Sequence, residues 1–209
     1  MTNRQKLTAA FGFFVLLVVV VGYASATQPQ AQASTPSCDS CGETALIKAY
    51  MSIERSSKGI AEYKERIQEM NSELIAQQVD NVAATVTFDQ PLTYEGVQEL
   101  LQTYGVRLEQ LQARAVSGDR RMTIAFNAPV TEEMVAMIRQ HISERYEATF
   151  VGFTDSYVVA NYEAIGELQK DTRVFLVDAS GDSYFTGEND DQHAHALTWL
   201  LEYVREGAK

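Results

Sequence analysis

The sequence predicts an α+β fold in which duplicated βαβ units form an antiparallel sheet with helices on one face. A signal or membrane helix and a long amphipathic helix precede it. Three observations carry this prediction: an uncharged apolar run at the start, a seven-residue apolar period over residues 43–79, and a repeat at a constant offset of 38 residues in the body of the chain.

Arg4 and Lys6 are the only charged side chains before Asp39, and the chain between them and Thr27 is almost wholly apolar. Leu7, Phe14, Val20 and Ala26 mark this segment, which includes four consecutive valines from Val18 to Val21. A positive start followed by an apolar run directs a chain into or across a membrane with its N-terminus left inside. Residues 1–26 therefore read as a signal peptide or a signal-anchor. Ala24-Ser25-Ala26 places small residues where signal peptidase cuts, while a run of about 20 residues also matches a bilayer core of roughly 30 Å.

Residues 27–42 follow as TQPQAQASTPSCDSCG, whose part from Thr27 to Ser37 is polar and uncharged, with Pro29 and Pro36, and predicts a flexible spacer. It ends in Cys38-Asp39-Ser40-Cys41, which holds the only two cysteines of the chain. Outside the cytoplasm this pair suits a local disulfide, a cross-link between chains, a redox couple or a shared metal. Two cysteines do not staple a whole scaffold, so the fold must rest on an apolar core.

Residues 43–79 contain no proline, and Leu46, Ile53, Ile60, Ile67 and Leu74 recur every seventh residue. That period predicts one helix of about 55 Å with a coiled-coil seam, a stalk able to join copies of the chain. The second seam position, Ala49, Ser56, Tyr63, Met70 and Gln77, is only half apolar. A helix packed along its own domain is the competing reading.

The repeat lies in residues 80–178. TVTFDQPLTYEGVQELLQ (85–102) aligns with TIAFNAPVTEEMVAMIRQ (123–140), and seven of eighteen positions are identical where chance gives about one. In each copy alternating apolar residues predict a strand, Val86 and Phe88 or Ile124 and Phe126. Pro91 or Pro129 then stops it, and Thr93 or Thr131 caps a helix. Glu95 and Glu133 fall in the first turn, where the helix dipole favours an anion. Second strands follow at residues 106–116 and 148–152, with the turn Ser117-Gly118-Asp119-Arg120 between the copies. The resulting order βαββαβ is the ferredoxin-like split arrangement. A third unit adds a strand at 157–160, a helix at 162–170 and a buried strand at 174–177. Residues 179–209 read as an acidic loop and a last helix from Asp190 or Asp191 to Arg205, with Ala194, Leu197, Leu200, Leu201 and Val204 inward.

Within that third unit, VGFTDSYVVANYEAIGELQKDTRVFLVD (151–178) resembles the second half of the subtilisin propeptide-like inhibitor fold, which is itself ferredoxin-like. The resemblance implies a domain able to bind a protein partner through its sheet.

Composition narrows the functions. A net charge of -11 leaves no basic stripe for nucleic acid and opposes docking on anionic lipid. No GxSxG, P-loop, GxGxxG, HExxH or second CxxC occurs, so no catalytic residue and no cofactor is expected. The oxygen ligands of Asp178, Asp182, Asp190 and Asp191 suit Ca²⁺ in type but match no EF-hand spacing. The expectation is a non-enzymatic, extracytoplasmic interaction protein. It would be anchored N-in/C-out or secreted after cleavage near Ala26, with a protein partner and a possible homo-oligomer through 43–79. A thiol-disulfide redox protein using Cys38 and Cys41 and a protease-inhibitor-like module are the alternatives.

Overall fold

The structure is a computed structural model and describes residues 50–187 and 193–206. The anchor residues Leu7, Phe14, Val20 and Ala26, the spacer, Cys38, Cys41 and the seam residue Leu46 all lie outside them. No helix among the described residues is long and apolar enough to cross a membrane.

A first helix, α1 (Ser57–Gln77), is followed by β1 (Val82–Leu92), α2 (Tyr94–Tyr104), β2 (Arg107–Ser117) and β3 (Arg120–Asn127). Then come α3 (Glu132–Tyr146), β4 (Thr149–Ala160), α4 (Tyr162–Leu168), β5 (Val174–Asp178), the single turn α5 (Ser183–Thr186) and α6 (Thr198–Arg205). The five strands form one sheet in the order β3-β2-β4-β1-β5, every neighbouring pair antiparallel.

The repeat is structural as well as textual. Thr93 accepts from Gly96 N and Thr131 from Met134 N, so both copies start their helix with the same cap. Val86 with Ile124, Phe88 with Phe126, Val97 with Val135 and Leu100 with Ile138 are buried in matching places. Exchanging β1 with β3 and β2 with β4 reproduces the order β3-β2-β4-β1 read from the other end. The two copies are therefore related by an approximate twofold axis between β2 and β4. β5 adds to the outer side of β1 alone.

The core explains the layers. Val82, Ala84, Val86 and Phe88 alternate onto one face of β1 and pack with α2, α3 and α4. The opposite face carries Thr85, Thr87, Arg114 and Asp155, all buried. It is covered by residues 194–202: Thr85 Oγ1 donates to Ala194 O, Thr87 Oγ1 accepts from Leu197 N and Thr198 Oγ1 donates to Asp155. Helices on one face is thus corrected to helices on both. Polar side chains alternating onto the second face need partners once buried, and the C-terminal segment supplies them.

Other expectations shift. The long helix begins at Ser57, capped by Ser56, after a turn so tight that a side chain at Gly59 would meet the Glu54 backbone. Ile60, Ile67 and Leu74 are 4%, 1% and 0% exposed, packed inside the same chain, with Ile53 partly buried beside them. The seam read as a stalk is therefore the buried stripe of a helix lying along its own domain. Over a few turns, periods of 3.5 and 3.6 residues select the same side chains. Strands expected at 148–152 and 157–160 are one strand, β4, continued through a bulge near Gly152. β1 runs past Pro91 to Leu92 because its register with β4 slips between Thr87 and Leu92. The last helix starts at Thr198, although Ala194 and Leu197 are inward as expected.

Candidate functional site

On the second face, alternation brings Arg114 of β2, Thr123 of β3 and Asp155 of β4 beneath α6. Arg114 is 3% exposed; its Nε donates to Glu202 Oε1 at 2.7 Å and its Nη1 to Thr123 Oγ1 at 2.6 Å. The guanidinium also lies 3.9 Å from the centre of the Trp199 ring, a cation–π contact that fixes its plane. Asp155 Oδ2 accepts from Thr198 Oγ1 at 2.9 Å and Thr154 Oγ1 at 3.0 Å, while its Oδ1 has no partner among the described residues. Burial raises its carboxyl to about 6, against the lowering effect of the two hydroxyls and of Arg114. Beside it Tyr157 stacks on His193 at 4.7 Å, and His193 Nε2 meets Glu109 Oε2 at 2.9 Å. That bond is the largest cause holding the Glu109 carboxyl below its ordinary range. The array clamps α6 to the sheet around a buried carboxyl.

A second polar group fastens α1. Asp178 Oδ2 accepts from Tyr63 Oη, and its Oδ1 accepts from Ser180 N and Oγ. Asn71 Nδ2 donates to Val177 O at 2.7 Å. Asp182 caps α5 through Tyr184 N and also accepts from Ala83 N of β1. The two candidate Ca²⁺ ligands Asp178 and Asp182 are thus committed to hydrogen bonds inside the fold, and Asp190 and Asp191 lie outside the described residues. Among the described residues no three His, Cys, Asp or Glu side chains are grouped to hold a metal ion.

Two open grooves follow the internal twofold axis. One, of about 440 Å³, is lined by Leu101, Gly105, Leu108, Pro129 and Val130. Its counterpart, of about 430 Å³, is lined by Arg139, Ser143, Phe150, Pro91 and Leu92, so the offset of the repeat maps Leu101 onto Arg139 and Pro129 onto Pro91. Arg139 lies over the Phe150 ring at 4.6 Å.

The edges of the sheet differ more than the grooves do. β5 covers β1, pairing Thr85 with Asp178 and Val86 with Val177. The equivalent edge of β3, around Thr123 and Ile124, pairs with no strand among the described residues. On α3, which packs against β4, Met137 is 54% accessible.

The fold and these features define a duplicated α+β domain with one completed sheet edge and one bare one. The chain matches no family model, no curated protein and no solved structure. Sequence reasoning missed Arg114 and Asp155. The signal was present in Ala113-Arg114-Ala115 and Thr154-Asp155-Ser156, where a charge sits between small residues inside a strand pattern.

Proposed function

We propose that the chain is a non-enzymatic, extracytoplasmic interaction protein, held at a membrane by residues 1–26, that presents its folded domain to a protein partner. The observation that carries this reading is the bare β3 edge. An unpaired strand offers backbone N–H and C=O groups to an added strand, a recurrent mode of peptide and protein recognition. The likeness of residues 151–178, which span β4, α4 and β5, to a propeptide-like inhibitor supports sheet-mediated binding. We read the domain as a ferredoxin-like variant in which β2 and β4 hold the centre of the four-strand set.

The test uses the full chain in its own membrane, with a photo-reactive phenylalanine analogue at exposed Ala125 of β3 or at exposed Glu65 of α1. Adducts of discrete mass are expected at position 125 and not at 65, and protease outside the membrane is expected to reach the domain. Equal adducts at both positions, none at 125, or a domain shielded from external protease would sink the reading.

A further inference from the structure

We infer that the occupant of the β3 edge is a second copy of this chain, β3 pairing antiparallel with its own counterpart about a twofold axis. The inference rests on the reading of β3 as the interaction edge and names its partner.

The internal duplication shows what such an edge accepts. At β1 the third unit supplies an antiparallel strand and also touches the helix above, since Arg173 Nη1 lies 3.4 Å from Glu99 Oε1 on α2. The repeat offset maps Glu99 onto Met137 of α3, where an apolar side chain stands largely exposed. A second copy paired through β3 brings the two α3 helices side by side and covers both Met137 side chains. Strand and helix flank are then completed together, as they are at β1.

Charge selects a copy of the chain over a uniformly charged segment. Arg120 opens β3, is exposed, and makes no ion pair among the described residues. Glu132 opens α3 just beyond the other end of β3 and is exposed. An antiparallel pair sets the start of one β3 beside the end of the other, so Arg120 of each copy approaches Glu132 of its partner. A twofold axis makes the Arg120–Glu132 pairing reciprocal, each copy supplying both partners.

The experiment is sedimentation of the full-length chain in mild detergent with a thiol reductant. A reversible dimer is expected whose Kd rises about tenfold in Arg120→Glu and returns close to the wild-type value in Arg120→Glu/Glu132→Arg. Met137→Lys, at an exposed position, weakens the dimer while the thermal transition of the domain stays in place. A monomer at every concentration overturns the inference, and so does a dimer indifferent to these substitutions, which would form through another segment. If the chain is monomeric yet Ala125 still cross-links to a different protein, only the identity of the partner falls. If both fail, the reading of β3 falls with it.

Discussion

Tyr63 Oη lies 2.5 Å from Asp178 Oδ2, joining α1 to the end of β5 across 115 residues of chain. Burial is the largest cause raising both the phenol and the carboxyl above their ordinary ranges, so the contact works in a water-poor site. Tyr63→Phe leaves Asp178 Oδ2 without this donor where the residue is only 2% exposed. The expected loss is on the order of 1–3 kcal/mol in urea unfolding. In an Asp178→Asn background the same substitution costs less, because a neutral amide replaces the stranded carboxylate. Equal costs in the two backgrounds would show that the phenol contributes only packing.

Asp155 sets a pH dependence. Its carboxyl titrates near 6 in the folded chain against 3.8 ordinarily, so between those values the folded state holds a proton the unfolded chain has released. Stability attributable to this group is complete below the lower value and falls as pH rises through about 6. The decline is on the order of 3 kcal/mol by the two-unit difference. Asp155→Asn is expected to remove it and to gain stability above pH 7 relative to wild type. Trp199, the sole tryptophan, packs against Arg114 beside this carboxyl, so its emission reports whether α6 loosens in step. A wild-type minus variant difference that is flat from pH 4 to 8 would contradict the assignment.

Much of the β-sheet domain was legible in the sequence because its signals are local. Thr93 and Thr131 cap helices wherever the helices pack, and alternating Val86 and Phe88 declare a buried face without naming what covers it. Strand order was not legible, since β2 and β4 could share the centre only after two chain crossings that no local pattern encodes. Nor was α6 on the second face. Thr85, Thr87 and Asp155, the partners of residues 194–198 at its start, are polar, and polar alternation reads as a solvated face until a helix is found over it. Of the functional candidates, the bare β3 edge follows from what does not pair with it, which sequence alone does not reveal.

The heptad residues give a sharp contrast between stalk and domain packing. Ile67 is 1% exposed within the chain's own core, so Ile67→Ala creates a cavity and costs about 2–5 kcal/mol of domain stability. The cost is independent of protein concentration in denaturant titrations. A seam between chains would instead make the loss grow on dilution, since subunit association contributes to apparent stability by mass action.

Gly152 marks where β4 bulges against β2. Its φ is +149°, and a Cβ there would stand 2.9 Å from both Leu92 O and Pro91 Cβ. One neighbour is backbone at the end of β1, in the stretch where β1 and β4 lose register, so relief requires the strand pair itself to move. Gly105, at φ +62° with open space around its Cβ direction, separates the two contributions. Gly105→Ala carries only the left-handed backbone cost of about 1 kcal/mol, whereas Gly152→Ala adds the collision and is expected to reach roughly 3 kcal/mol. Chemical denaturation of the two variants measures the difference. Equal losses would mean that the Pro91 end of β1 yields freely, and the bulge would then be a tolerated irregularity of β4 in place of a position that only glycine fits.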